Sequence, residues 1–249
     1  MPLGSCINII VSTISYSQVP VPDGVVEGEK LNMEIITTPL PKEELELFRE
    51  LKDLKVIFDV GARIDTDYIE LWPNSQHHLF EPNPEFFASL SDKVKDNPSV
   101  FANSFGLGDR NDGIGYQVNL QSFVDSVNIN NPDAQSDCIL SVKTLDEYVR
   151  KHKIKRIDFL KIDTEGYELR VLRGGAQHLP IVKFIQYEHW GQANDNIIRA
   201  FLYDLHGDLF DIESVGYRNV LCMNKNLVSA RERKRLSTLI KERGYSVLQ

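Results

Sequence analysis

The sequence is poor in cysteine and has none of the cysteine patterns that hold small domains together. Its 249 residues include only Cys6, Cys138 and Cys222. These three are odd in number, far apart in the chain and without a C-x-x-C pair, so a disulfide framework and a zinc-finger site are both disfavoured. Free thiols buried in a reducing compartment are the favoured interpretation, and we therefore expect a cytoplasmic protein.

Long apolar runs are also missing, as is a basic segment near the N-terminus. No stretch reaches the ~18–20 consecutive apolar residues that a membrane-spanning helix needs. The apolar segment 6–16 precedes the first basic residue, Lys30, and is interrupted by Ser, Thr and Asn. It lacks the basic region of a signal peptide and predicts a strand. We expect residues 1–42 to be an extension or linker, or the end of a preceding domain in a larger polypeptide.

An excess of positive charge is the third feature that the chain lacks, since its formal net charge is −8. A diffuse acidic balance argues against nucleic acid as a partner, because phosphate binding needs clustered Lys and Arg. The basic residues concentrate at 225–249, where Leu236, Leu239 and Ile240 have helical spacing. This segment predicts a solvated C-terminal helix, with a phosphate-, membrane- or partner-facing patch as the alternative.

The remaining composition is that of a globular protein, with 42% hydrophobic and 26% charged residues. Between residues 43 and 224, short apolar runs alternate with helical patterns. The predicted strands are 55–60, 77–81, 99–105, 138–142, 157–162 and 183–187, with a hairpin or meander at 106–118 and a closing pair at 210–215 and 219–223. This alternation predicts an α/β domain with a parallel sheet covered by helices on both faces.

Polar residues stand where the predicted strands end, at the edge where open parallel sheets bind ligands. The acid at the end of the second strand, Glu81, matches the two hydroxyls of a ribose. Gly61, at the end of the first, allows a ligand to approach the backbone closely. The G-x-G-x-x-G cradle for a pyrophosphate is missing, because Gly61 is followed by Ala, Arg, Ile and Asp. A nucleoside without a pyrophosphate therefore fits better than NAD or FAD.

Three segments carry a resemblance to a known family: VIFDVGARIDTDY (56–68), LFEPNPEFFASL (79–90), and TLDEYV followed by IDFLKIDTEGYELRVLRGG (144–175). The chain resembles the FkbM-type S-adenosylmethionine-dependent methyltransferases. This resemblance implies a Rossmann-like class I methyltransferase fold, α/β with a mostly parallel seven-stranded sheet and helices on both faces. It also implies methyl transfer to a hydroxyl of a carbohydrate, such as a terminal deoxysugar of a glycan. The partner is then a small-molecule or glycan acceptor.

The resemblance also assigns site residues by position. Glu81 would hold the ribose of S-adenosylmethionine, and 103–105 would lie near its adenine. The full predicted cofactor set is Asp59, Gly61, Ala62, Arg63, Asp65, Glu81, Pro82, Asn103, Ser104 and Phe105. A sugar hydroxyl is a poor nucleophile, so a base must help remove its proton. Asp163 is the leading candidate and His189 the next, followed by Lys161 and Glu165, with helix-start and packing roles as alternatives for Glu165 and His189.

The chain departs from the family pattern D-V-G-A-N-x-G at Arg63 and Asp65. Asp65 either caps the following helix together with Thr66 or pairs with the ammonium of the cofactor, while Arg63 pairs with its carboxylate. The departure also leaves open a catalytically inactive, methyltransferase-like interaction domain. A divalent metal held by the carboxylates at the strand ends is an alternative that no compact ligand motif supports.

Overall fold

The computed structural model describes residues 42–116, 138–216 and 218–244. Its helices are α1 (Lys42–Phe48), α2 (Tyr68–Leu71), α3 (Pro84–Val94), α4 (Leu145–His152), α5 (Glu168–Gly174), α6 (Gln192–His206) and α7 (Ala230–Glu242), with a 3₁₀ turn at Leu179–Ile181. Its strands are β1 (Val56–Val60), β2 (Gln76–Phe80), β3 (Val100–Asn103), β4 (Gly106–Leu107), β5 (Asp112–Tyr116), β6 (Cys138–Lys143), β7 (Ile157–Ile162), β8 (Val182–Glu188), β9 (Phe210–Ser214) and β10 (Asn219–Asn224). The predicted strand at 6–16 lies outside the described residues.

Seven strands form one sheet in the order β3-β2-β1-β7-β8-β10-β9. The pairs from β3 to β8 are parallel, and β10 runs antiparallel to both β8 and β9. The predicted mostly parallel seven-stranded sheet and its closing antiparallel pair are therefore confirmed. The strand order changes direction between β1 and β7, and the carboxyl ends of these two strands form the crevice in which such sheets bind ligands.

Both faces of the sheet are covered, which explains why the central strands are almost uniformly apolar. On one face, Phe58 and Ile162 pack among the buried side chains of α4 and α5. On the other, Ile57 and Phe159 pack with α1, α2 and α7. Side chains alternate between the two faces along each strand. Asp59, in register with Lys161, therefore lies on the α1–α2–α7 face.

A second, three-stranded sheet has the order β4-β6-β5. The prediction of a hairpin or meander at 106–118 is wrong for the described part of that segment, because β4 and β5 do not pair with each other. They flank β6, which is parallel to β4 and antiparallel to β5. The local glycine and asparagine turn signals carry no information about a partner strand that lies about 30 residues further along the chain.

The C-terminal helix α7 belongs to the core. Its side chains Leu236 and Ile240 are buried against Leu47 and Phe48 of α1. Part of its positive charge is neutralised by acids of the domain, as in the pair between Arg235 Nη1 and Glu50 Oε2 at 2.9 Å. The prediction of a solvated helix therefore holds for one face only. Among the described helices, none is long and apolar enough to cross a membrane.

The packing of α7 predicts that Leu236→Ala lowers the free energy of unfolding by about 2–5 kcal/mol, because it leaves a cavity between α7 and α1. The matched control is Leu227→Ala, which removes the same atoms from a side chain that is 46% exposed. We expect this control to change stability by less than about 0.5 kcal/mol. Urea denaturation followed by circular dichroism measures both, and equal effects would mean that α7 is not part of the core.

Candidate functional site

The strand ends bring most of the predicted site residues to one edge of the sheet. Ile162, the last residue of β7, is in register with Tyr187 of β8. The next residues, Asp163 and Glu188, are therefore neighbours on the same face. Lys161, two residues before Asp163 in the chain, lies on the same face and is in register with Asp59 of the adjacent strand β1. Four charged side chains from three adjacent strands thus meet at the carboxyl edge.

The turn after β1 approaches β7 so closely that only glycine fits. Gly61 has φ +85°, and a Cβ there would lie 1.9 Å from the carbonyl oxygen of Asp163. The N–H groups of Gly61 and Ala62 both donate to the carbonyl of Phe80 at the end of β2, at 3.0 and 3.2 Å. The turn is therefore fixed from both neighbouring strands, β2 and β7.

Glu81 closes the second strand and is only 4% exposed. Its Oε2 accepts from the N–H of Arg63 at 2.9 Å, and its Oε1 accepts from the N–H of Asn83 at 2.8 Å. Burial raises the pKa of the Glu81 carboxyl to about 7, although both hydrogen bonds oppose that rise. A carboxylate offers about four acceptor positions, so further donors are needed to saturate this one.

Lys161 is buried at the centre of the site, where its Nζ meets three oxygen atoms. It lies 2.9 Å from Asp59 Oδ1 and 3.5 Å from Asp163 Oδ2, and it donates to the Gly61 carbonyl at 3.0 Å. Burial alone would lower the pKa of Lys161, but Asp59 and Asp163 outweigh it and raise that pKa above its ordinary value. The ammonium thus stays charged at neutral pH, where it has no lone pair with which to act as a base.

Two further carboxyl groups stand beside Asp163. Burial, reinforced by the charge of Asp163, raises the pKa of Glu165 to about 7 and that of Glu188 to about 9. Glu165 has φ +56° and is followed by Gly166 at φ +100°, so the chain turns sharply there. Glu168, which is fully buried, holds this turn by accepting at Oε1 from the N–H groups of Thr164 and Gly166.

Two predicted site residues point elsewhere. The Asp65 side chain is 63% exposed, pairs with Lys93 at 2.9 Å and accepts from the N–H of Thr66. It therefore lies on the surface between the β1–α2 loop and α3. His189 is partly exposed, and its Nδ1 accepts from the N–H of Gly191 at 3.2 Å. This bond fixes the ring against the loop that leads into α6.

The residues predicted beside the adenine are engaged in packing to different degrees. Asn103 Nδ2 donates to the Tyr148 hydroxyl at 3.3 Å and to two backbone carbonyls at 3.0 Å. Phe105 lies against Tyr148, with 6.0 Å between ring centroids. Ser104 is exposed, and the partly buried Pro82 ring covers the backbone of Gly106. Ser104 is thus the most accessible member of this group.

A chain of buried polar side chains beneath the site was not predicted. The Tyr68 hydroxyl donates to Gln186 Oε1 at 2.5 Å, and Gln186 Nε2 donates to Asn219 Oδ1 at 3.0 Å. Asn219 in turn donates to Glu44 Oε2 at 2.8 Å, which ties α1 to the sheet. The sequence did contain a signal, since a glutamine inside the apolar run 183–187 needs buried partners.

Within the described ranges, no group of three or more His, Cys, Asp or Glu residues is arranged to hold a metal ion. The carboxyls at the strand ends are instead arranged around Lys161 and around one another.

The family of the chain follows from a sequence comparison. A family model described as the methyltransferase FkbM domain matches residues 59–218, from the carboxyl end of β1 to the start of β10. The chain belongs to the FkbM methyltransferase family. The predicted membership is thereby confirmed. This FkbM methyltransferase extends beyond the matched region by α1 and most of β1 on one side, and by β10 and α7 on the other.

Two named relatives accompany the family match. The chain is 26% identical over 145 residues to the hexuronic acid methyltransferase AglP of Haloferax volcanii, covering 57% of this chain and 59% of AglP. It is 25% identical over 175 residues to the 2-O-methyltransferase NoeI of Sinorhizobium fredii, covering 61% of this chain and 72% of NoeI. The matched part of the FkbM methyltransferase thus spans about three fifths of the length of AglP.

Among solved structures, the METTL16 MTase domain superposes on the FkbM methyltransferase with a TM-score of 0.50 at 10% identity. The match covers 76% of this chain and 70% of that one. At this identity the likeness concerns the fold alone. Together with the strand order, it confirms the predicted Rossmann-like class I methyltransferase fold.

Arg63 occupies the position at which the family pattern carries asparagine. Its φ of +54° lies in the left-handed region, which asparagine tolerates better than arginine does. The cost for arginine is roughly 1–2 kcal/mol. The main chain of Arg63 nevertheless donates to Glu81, and its guanidinium carbon lies 5.7 Å from the centre of the Phe86 ring. The loop of this FkbM methyltransferase therefore adopts the left-handed turn despite the substitution.

The environment of Lys161 predicts that Lys161→Met destabilises the protein by about 3–5 kcal/mol, because it leaves Asp59 buried without its cation. The matched control is Lys183→Met on the neighbouring strand β8. Lys183 is partly exposed and donates only to the Lys52 carbonyl, at 3.2 Å. We expect a change of about 0.5 kcal/mol or less for this control. Unfolding in urea measures both, and a stable Lys161→Met variant would contradict the assigned role.

Proposed function

We propose that the protein is an S-adenosylmethionine-dependent O-methyltransferase that transfers a methyl group to a hydroxyl of a carbohydrate. The observation that carries this proposal is the contact between the Gly61 turn and the backbone of Asp163. It brings the β1 and β2 ends, with Glu81, beside the end of β7, with Asp163. A nucleoside-binding acid and a candidate base therefore share one crevice, in a chain of the FkbM methyltransferase family.

The residues present fit the methyl donor. The Gly61 turn is a cradle that a Cβ would fill, and Glu81 retains acceptor positions for the two hydroxyls of a ribose. The guanidinium of Arg63, close enough to lower the pKa of Glu81, is placed to meet a carboxylate. We propose that Asp59 supports the Gly61 turn indirectly, because Lys161 contacts both of them. We place the adenine of the cofactor beside residues 103–105. Asp65 is left out, because Lys93 already holds it at the surface.

When bound, S-adenosylmethionine supplies an electrophilic methyl group on a sulfonium. Asp163, whose side chain is 38% exposed, is accessible to an acceptor hydroxyl and takes its proton. Lys161 orients Asp163 from behind and ties it to the Gly61 turn. Because the displacement is in line, most of the rate gain comes from holding acceptor and donor together. Glu165 flanks this position, and we propose that it orients the acceptor, whereas His189 is left out because its ring is held by the N–H of Gly191.

The proposed domain covers residues 43–224, with α7 packed against it. The carbohydrate acceptor is supported by the names of AglP and NoeI, a hexuronic acid methyltransferase and a 2-O-methyltransferase. The acidic groups beside Asp163 favour a neutral, hydroxyl-rich sugar over a carboxylated one, because an added anion would be repelled. A terminal deoxysugar of a glycan meets this requirement. A catalytically inactive interaction domain, the alternative, would transfer no methyl group to any sugar.

The proposed acceptor class predicts faster methylation of neutral glycosides than of glycosides that carry a carboxylate on the same ring. The test incubates the protein with radiolabelled S-adenosylmethionine and matched pairs such as a hexoside and its hexuronide. The expected result is a kcat/KM at least about tenfold higher for the neutral member, which corresponds to about 1.4 kcal/mol. A preference for the hexuronide would overturn the acceptor class, and no calorimetric binding at millimolar S-adenosylmethionine would overturn the enzyme.

The two acids of the crevice predict separate effects on binding and turnover. Since the pKa of Glu81 is about 7, its ionised form is lost as the pH falls below 7. The Kd for S-adenosylmethionine should then rise by up to about tenfold per pH unit. Glu81→Gln should weaken binding and flatten this dependence. Asp163→Asn should leave Kd within about threefold and lower kcat by about 10²-fold or more. Equal effects of both variants on Kd and kcat would contradict these roles.

A further inference from the structure

We propose that Glu188 shares a proton with Asp163 and thereby holds this base in one orientation toward the acceptor hydroxyl. Glu188 is then a positioning residue, because it acts through Asp163. The catalytic part of this inference rests on the proposed function. The shared proton itself is a property of the folded chain and is testable without any methyl donor.

The geometry that supports the shared proton comes from the strand register. Ile162 and Tyr187 are paired in the parallel ladder, so the residues that follow them leave adjacent strands side by side. Because Asp163 and Glu188 follow a registered pair on adjacent strands, both side chains leave the sheet on the same face and their carboxyls can approach each other. A hydrogen bond between two carboxyls requires that one of them carry the proton. The side chain of Glu188 is only 18% exposed, whereas that of Asp163 is 38% exposed and stays open to the acceptor.

The charges around the pair decide which member holds the proton. Lys161 Nζ lies 3.5 Å from Asp163 Oδ2 and places a positive charge beside the carboxyl of Asp163. Glu188 has a weaker cationic neighbour, since Arg218 Nη1 is 3.8 Å from its Oε1. Asp163, Glu165 and Glu168 all oppose a charge on Glu188, and with burial they raise its pKa to about 9. At neutral pH the proton therefore resides on Glu188.

The remaining charged groups nearby do not reverse this assignment. The charge of Asp59 is balanced by Lys161 at 2.9 Å. The charge of Arg63 acts on Glu165, where it opposes part of the rise in pKa that burial causes. His189 follows Glu188 in the chain, but its Nδ1 is held by the N–H of Gly191. With Lys161 on one side and the proton of Glu188 on the other, the Asp163 carboxylate is fixed in one orientation.

The proton balance of the proposed reaction follows from this arrangement. The acceptor O–H bond breaks, its proton moves to Asp163, and the oxygen forms a bond to the methyl carbon as the methyl–sulfur bond breaks. The electron pair of that bond stays on sulfur, so the positive charge of the sulfonium is lost. Asp163 then releases the proton to water, while Glu188 keeps its own throughout.

The shared proton makes stability depend on pH in a defined direction. An ordinary glutamate ionises near pH 4.5 in the unfolded chain, whereas folded Glu188 does so near pH 9. As the pH rises, Glu188 therefore ionises in the unfolded chain before it does so in the folded protein. Its contribution to the free energy of unfolding is lost progressively between these two pH values. Glu188→Gln, which mimics the protonated acid, lacks this loss. The unfolding constant of the wild type relative to this variant should rise by up to about tenfold per pH unit.

The first experiment measures urea unfolding of the wild type and Glu188→Gln at pH 5, 6, 7 and 8, without any ligand. The matched control is Glu70→Gln, at an exposed position of α2. The expected result is a ratio of unfolding constants that rises with pH for Glu188→Gln and stays constant for the control. A constant ratio for Glu188→Gln would overturn the shared proton.

The second experiment measures kcat from pH 7 to 10 with the acceptor found above. We expect the wild-type kcat to fall above pH ~9, when Glu188 loses its proton, and the ratio of Glu188→Gln to wild-type kcat to rise by about tenfold per pH unit there. A ratio that does not change with pH would overturn the positioning role. Absence of methyl transfer to every acceptor would count against the proposed function alone, because the unfolding experiment does not depend on it.

Discussion

The ammonium of Lys161 lies inside the sheet, where a charge without partners would cost several kcal/mol. Its partners are Asp59 of β1, the Gly61 carbonyl and Asp163, which follows β7. One cation therefore joins the ends of β1 and β7. The crevice at the change of strand direction exists in any fold of this topology. In this chain, Lys161 holds the carboxyl ends of β1 and β7, which border the crevice, close to each other.

Strain accompanies this arrangement on both sides of the crevice. Arg63 and Glu165 hold left-handed backbone conformations that are costly for residues with a side chain. Arg63 is anchored through its N–H to Glu81, and the turn at Glu165 is anchored by the buried Glu168. Such strain persists only where surrounding contacts enforce it, and it concentrates at functional sites. Both positions face the region in which we place the methyl donor and the acceptor.

Much of the fold was predictable, because apolar runs such as 157–162 and their polar ends follow directly from burial on two faces of a parallel sheet. The closing strand pair was a local signal of the same kind. The pairing of β6 between β4 and β5 was not predictable, because long-range strand pairing leaves no local pattern. The ion pair of Lys161 was not predictable for the same reason, since its partner Asp59 lies about 100 residues earlier in the chain.

The attachment of α1 to the sheet through Glu44 and Asn219 has a practical consequence for making the protein. The family-matched region begins at Asp59 and ends at Arg218, so it excludes both α1 and α7. A recombinant fragment cut at those limits would expose the apolar sheet face that carries Phe159 to water. Such a fragment would be prone to self-association, and expression boundaries should therefore enclose residues 42–244.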